Sequence, residues 1–411
     1  MFGQTFLSLS IALSVVSITI VPIAVVPIAI AQQPAKEFDP TMSNGLTSEQ
    51  IAEGWLSLFD GQSLYGWKAE SKANWKVADR TIEVSAGDMG LLRTTSQFGD
   101  FELRLEFKAA KGTNSGIFIR TSPKPKDPAD DCLEINIAPP NNPFPTGSLV
   151  YRLKADLPEE KETWQNYRIV AKGKQLNVWL DGKQTIDFQM KSGDVGRGFI
   201  GLQTREGKVA FRNIYLKPLA TQSLFDGKSL DGWDTTKALQ SKLSVTEEGE
   251  LQIHNGKGQI ETKKQFADFV FSTQCKTNAP GLNSGVFFRC IPGDVMNGYE
   301  SQIQNEYKSD DPTKPVDCGT GGIFRRKPAR RVNAADEKWF TKTIVATGPH
   351  FAVWVNGYQV VDWTDKRKPN ANPRKGRRLE AGSIIFQGHD PTTDLLFKNI
   401  SSNEQPTRRI K

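Results

Sequence analysis

Histidine is scarce in this chain, with three in 411 residues: His254, His350 and His389. No H-E-x-x-H or H-x-H spacing can be built from them, which excludes the zinc-hydrolase signatures that need paired imidazoles. Cysteine is nearly as rare. Cys132, Cys275, Cys290 and Cys318 form no C-x-x-C pair, so zinc-ribbon and thiol-redox motifs are excluded too. Cys275 falls on the apolar register of its segment and reads as a core residue. His254 and His350 fall at turn-like sites and read as surface residues. His389, Asp390 and Asp394 are close in sequence, but "DPTTD" equally suits a loop closed by Asx turns. Ligand spacing therefore supports no divalent cation, and no cofactor is expected. Amphipathic helical periodicity is missing as well, which argues against helical bundles and α/β folds.

The excess of positive charge is +7, but it is not spread along the chain. Much of it sits in "RRKPARR" (Arg325–Arg331) and "KRKPNANPRKGRR" (Lys366–Arg378), both broken by proline. Such segments read as solvated loops or as contacts with an anionic glycan or cell surface. No nucleic-acid partner is expected. The N-terminus carries one long apolar run from Phe6 to the small-x-small triplet Ala29-Ile30-Ala31. A cleaved signal peptide over 1–31 fits that triplet and the polar "QQPAKE" after it. The run is also long enough for an uncleaved anchor, the one route to a membrane partner. Either way the expected location is exported: periplasmic, extracellular or cell-surface.

Self-similarity organises the rest. "LFDGQSLYGW" (Leu58–Trp67) recurs as "LFDGKSLDGW" (Leu224–Trp233), and "NSGIFIR" (Asn114–Arg120) as "NSGVFFR" (Asn283–Arg289). "WQNYRIVAKGKQLNVWLDGKQTIDF" (Trp164–Phe188) is matched by "WFTKTIVATGPHFAVWVNGYQVVDW" (Trp339–Trp363). Two homologous domains follow, at 55–218 and 221–401, after an extension over 32–54 and before a tail over 402–411. "FELRLEF" alternates strictly, and Asp-Gly and Asn-Gly stand between strand-like runs, the pattern of antiparallel hairpins. The expected fold is all-β: two tandem jelly-roll β-sandwiches of the concanavalin A-like kind.

Strand alternation places Glu134 and Asn136 of "LEINI" on one face, and Glu300, Gln302 and Gln304 of "YESQIQNE" on another. The same rule puts Phe118 with Arg120, and Phe287 with Arg289, on the second face of their strands. An aromatic, an arginine, an acid and amides on one face suit a sugar-binding groove. A conventional glucanase pair is absent. Glu300 is followed by Gln302, and Glu306 lies roughly 20 Å further along a strand, beyond either glycosidase spacing.

The ordered set "LFDGKSLDGW", "NSGVFFR", "GYESQI", "TGGIF" and "FKNI" resembles the 3-keto-disaccharide hydrolase family over nearly the whole chain after the apolar run. The resemblance implies a saccharide or 3-keto-saccharide substrate. It carries over onto Asn283, Arg289, Glu300, Gln302, Gln387 and His389, and in the first copy onto Asn114, Arg120, Glu134, Asn136 and Gln203. In the roles it implies, Glu300 takes the proton from C2 beside a C3 ketone and Arg289 steadies the resulting charge. His389 supplies the acid or binds a hydroxyl. Phe287 and Gln304 complete the second binding face and Phe118 the first. The first copy has Arg205 where the histidine belongs and lacks Gly-Tyr before its glutamate, so the second copy is expected to be the active one. A non-catalytic, lectin-like carbohydrate-binding protein is the alternative.

Overall fold

The computed structural model describes Met1, Gly3 and residues 45–156 and 159–410. The signal-peptide reading and most of the extension lie outside them. Among the described residues no helix is long and apolar enough to cross a membrane. The described residues from 45 to 410 form one compact unit built on two β-sandwiches.

Each sandwich packs an eight-stranded sheet on a five-stranded one, and every strand pairing in the sheets is antiparallel. In the first, the smaller sheet runs in the order Trp67–Ala69, Gly90–Thr94, Phe199–Thr204, Ser115–Thr121, Leu133–Ile137. In the second the order repeats as Trp233–Asp234, Gly258–Thr262, Ser383–Gly388, Ser284–Cys290, Tyr299–Ile303. The expected jelly-roll sandwich is therefore present twice. Alternation drives it: in Phe101–Ala109 every second residue is buried, from Phe101 to Ala109. All four cysteines are buried and free.

The two sandwiches share a core. Val270, Val345, Ala352 and Trp354 of the second join the apolar cluster of the first. The Trp354 indole donates to the Ser57 carbonyl at 3.0 Å. Arg330 reaches Asp60 at 2.7 Å while lying between the rings of Tyr65 and Tyr358. The chain ends cross over. The short helix Ser48–Ala52 packs against the second sandwich, where Thr341 donates to the Ile51 carbonyl. The tail returns to the first: Ile410 exchanges backbone hydrogen bonds with Gly193 and Asp194, and Arg409 pairs with Asp130 at 2.8 Å.

Arg120 and Arg289 are not where alternation puts them. The pairing of Ser284–Cys290 with Ser383–Gly388 slips between Phe287 and Cys290, and Arg289 takes a φ of +49°. The first sandwich repeats the bulge, with Arg120 also at +49°. One extra residue turns each arginine off the groove face and into the protein. Both are fully buried, at 0% exposure. Arg289 donates to the carbonyls of Ala267, Gly348 and Arg378 and pairs with Asp268 at 3.1 Å. Arg120 does the same with Gly99, Gly173, Val195 and Asp100. A glycine stands against each bulge, because a Cβ at Gly198 or Gly382 would come within 2.5 Å of the arginine's backbone. Neither guanidinium can meet a substrate, which corrects the catalytic role expected of Arg289 and the binding role expected of Arg120.

Replacing Arg289 by Met should leave three buried carbonyls without the guanidinium that binds them and Asp268 without its buried cation. A loss of about 3–5 kcal/mol is expected, read from urea unfolding of the full chain. A variant as stable as the parent would show that the buried contacts are not needed for the fold.

Candidate active site

The groove face of each five-stranded sheet is set by the strand after the N-S-G turn. Ser115 donates to the Gln203 carbonyl at 2.7 Å and Ser284 to the Gln387 carbonyl at 2.7 Å, clamping neighbouring strands in register. The glycine that follows makes room for an acid. Glu134 stands opposite Phe118 and Glu300 opposite Phe287, and their carboxylates lean over Gly116 and Gly285, where a Cβ would stand 3.1 and 2.7 Å from the carboxylate oxygen. From the core side a long residue holds the acid-bearing strand. Tyr167 donates to the Asn136 carbonyl at 2.7 Å, and Lys342 to those of Ser301 and Gln302 at 2.9 and 2.7 Å.

In the first sandwich this face opens into a groove of about 600 Å³. Asn114, Phe118, Glu134, Asn136 and Gln203 all line it, so five of the six first-copy residues expected from sequence meet there. Arg120 is the exception. Sequence reasoning missed the walls: Lys124 and Lys126 from the proline-rich loop after the arginine strand, and Phe144 and Tyr151 from the loop after Leu133–Ile137. The only signal for them was the density of Pro and Asn in "SPKPKDP" and "APPNNPFP". Phe144 and Tyr151 meet edge to face at 5.7 Å, and Tyr151 is largely exposed at the mouth. The side-chain oxygens of Asn136 and Gln203 are buried and have no hydrogen-bond partner among the described residues. Burial raises the Glu134 carboxyl to about 7, against the pull of Arg205 and a hydrogen bond from Gln203. Arg205 therefore stands close enough to favour the charged form.

The second groove is filled by its own chain. The loop Ile291–Gly298 folds over the face and seats Met296 against Phe287 and Ile385. Gln259 and Glu261 hold it there: Gln259 accepts from the Met296 N–H at 2.7 Å, and Glu261 accepts from the Gly293 N–H. Gln387 donates to the Met296 sulfur, and Gln302 to Asn283 at 2.8 Å. Gln304 turns out of the face, donating to the Gly281 carbonyl and accepting from the Glu306 N–H. His389 pairs with Asp390 at 2.7 Å, while Asp394 is engaged by Gln252 and Asn278. Glu300 is left over a cavity of about 180 Å³ walled by Phe287, Phe324, Arg325, Arg326 and Arg374. Burial raises its carboxyl to about 7 as well, but its charged neighbours are Arg374, Lys342, Asp317 and Arg325, not His389. The expected trio of Glu300, Arg289 and His389 is not assembled, and the open groove belongs to the first sandwich.

A carboxyl raised by burial holds a proton that the unfolded chain gives up. Its contribution to stability is thus present below the unfolded value near 4.5 and lost as pH rises through about 7. Glu134→Gln should make the stability profile shallower across that window, removing on the order of 3 kcal/mol of the decline and leaving the part due to Glu300. Urea midpoints from pH 4.5 to 8 measure it, and an unchanged decline would place the ionisation elsewhere.

A 3-keto-disaccharide hydrolase of Bacteroides thetaiotaomicron is 27% identical over 258 residues, spanning 46% of this chain and 89% of the relative. Among solved structures, a candidate glycosyl hydrolase from Parabacteroides distasonis is 23% identical, with a TM-score of 0.39, covering 43% of this chain and 99% of its own. A carbohydrate-binding module from Bacillus subtilis is 15% identical, with a TM-score of 0.30, covering 37% and 95% respectively. The family model for the 3-keto-alpha-glucoside-1,2-lyase-like domain matches residues 54–217 and again 220–402, most of the chain, and to that carbohydrate-active family the protein belongs.

Proposed function

We propose that the first sandwich cleaves the glycosidic bond of 3-keto-glycosides, with Glu134 as the base. The observation that carries this reading is a buried carboxyl raised to about 7 on the floor of an open groove, beside an arginine and two amides with free oxygens. A base poised near neutrality can take a proton from carbon and still be regenerated. The C3 ketone acidifies the C2 proton. When Glu134 removes it, the electron pair passes to the ketone oxygen, where Arg205 is placed to stabilise the enolate. As the enolate collapses, C1 and C2 become doubly bonded and the C1–O bond breaks. The departing oxygen needs a proton, which Lys124, Lys126 or water in the groove can give. Addition of water across the double bond completes a net hydrolysis, and its omission leaves an unsaturated 3-keto sugar. Phe118, Phe144 and Tyr151 offer flat apolar faces to the sugar rings. Export of the protein is part of the proposal and rests on the N-terminal apolar run with its Ala-x-Ala end.

With a 3-keto-glucoside as substrate, Glu134→Gln should lower kcat by about 10²–10⁴-fold while binding persists. In the parent, log kcat/KM should climb with unit slope below about pH 7 and level off above it. Loss of turnover in Glu300→Gln but not in Glu134→Gln would move the chemistry to the second sandwich. Binding of the sugar with no turnover by the parent would make the protein a binding module.

A further inference from the structure

Two basic segments that are separate in sequence abut on the second sandwich. Arg326 donates to the Arg374 carbonyl at 2.9 Å, and Arg367 to the same carbonyl at 3.4 Å. Some of these cations build the loops. Arg367 pairs with Asp365 at 2.8 Å and ties the carbonyls of Pro373 and Gly376, and Arg378 holds those of Ala371 and Ala381. Others make no ion pair, although Arg326 donates to the Arg374 carbonyl and Arg374 to the Met296 carbonyl of the covering loop. Among the described residues no carboxylate lies within ion-pair reach of Arg325, Arg326, Arg374, Lys366, Lys368 or Lys375, and all six are exposed. Like charges crowded in this way repel unless an anion joins them. The surface also has a built recess. Arg325, Arg326 and Arg374 are walls of the roughly 180 Å³ cavity over Glu300, and the Arg325 guanidinium lies 5.2 Å over the Phe324 ring.

We infer that this recess on the second sandwich binds an acidic saccharide, its carboxylate or sulfate held by Arg325 and Arg374 and its ring against Phe324. Guanidinium forks match both anions, and the aromatic face matches a pyranose. The choice of a saccharide over other polyanions rests on the carbohydrate reading of the family and of the first groove. The recess is sized for one sugar unit. Glu300 on the floor acts as a gate. It faces Arg374 and Arg325 from the loops, Lys342 from beneath the sheet and Asp317 beside it, and burial keeps its carboxyl protonated up to about pH 7. Neutral, it can donate to the bound acid; ionised, it repels it. The second groove has thus exchanged an open, neutral-sugar face for an anion-selective one.

The test is titration calorimetry of the full chain with oligogalacturonate and with a chondroitin sulfate oligosaccharide, against a malto-oligosaccharide of equal length. Binding to one or both acidic sugars and not to the neutral one is expected, and which of the two binds identifies the anion. Arg325→Ala should weaken it by about tenfold or more, with an unchanged unfolding midpoint. Affinity should rise as pH falls from 8 to 6, and Glu300→Gln should remove that rise. Equal affinity for the neutral sugar, affinity retained in Arg325→Ala, or tighter binding to duplex DNA or anionic vesicles would overturn the inference. Because the readout is binding without a 3-keto group, failure here leaves the first groove's chemistry standing, and failure of that chemistry leaves this binding measurable.

Discussion

A buried guanidinium held by one aspartate and three carbonyls is the contact on which each sandwich depends. Taking an arginine fully out of water is costly, and burial pulls Arg120 down to about 10 against the opposing effect of Asp100. The cost is offset by an ion pair and three carbonyls, drawn for each arginine from three separate stretches of chain. Arg289 joins the turn before Phe269, the hairpin turn at Gly348 and the loop at Arg378. Asp268 also accepts from the Gly348 N–H and from Arg197 of the first sandwich, at 2.8 Å each. A single aspartate thereby closes one end of the second sandwich and fastens it to the first. Geometry this constrained specifies a unique arrangement more than it adds stability.

The same rivet shapes the groove. To turn the arginine inward, its strand must carry an extra residue, and that bulge ends the regular pairing one step past Phe118 or Phe287. The strand before the bulge is clamped by the N-S-G serine, and the acid-bearing strand beside it is held from below by Tyr167 or Lys342. Lys342 is an extreme solution to that task. Fully buried, with its ammonium pulled down to about 7, it does with two carbonyls what Tyr167 does with one. The groove floor is consequently rigid, and differences between the two sites are confined to what covers it.

Much of this was legible in the sequence where the physics has a fixed period. Alternation located the sheet faces, so Phe118, Glu134 and Asn136 were assigned to the groove face correctly, and so were Phe287, Glu300 and Gln302. Alternation failed at Arg120 and Arg289, because a bulge is one inserted residue and shifts the period without marking its place. A left-handed φ on arginine carries no compositional sign, although the glycine opposite each bulge is a trace of it. Gln304 was misplaced for a related reason: the strand stops at Ile303 and the residue belongs to a loop. Loops decided the rest. Nothing periodic announces that Ile291–Gly298 folds back over the second face, or that Pro123–Pro128 lines the first without closing it.

Yet the reason one groove is open and the other closed does lie in two sequence positions. Leu91 and Arg93 in the first sandwich occupy the places of Gln259 and Glu261 in the second, since Leu91 pairs with Gln203 as Gln259 pairs with Gln387. Gln259 and Glu261 offer acceptors to the backbone of a covering loop. Leu91 offers none, and Arg93 is turned aside to Glu70 at 2.6 Å. A loop laid over the first face would have to bury its N–H groups against leucine, which is unfavourable. Covering the second face costs little, because its acceptors would otherwise be unmatched. The histidine and the Gly-Tyr-Glu pattern single out the second copy in sequence, whereas Leu91 marks which of the two faces stays uncovered.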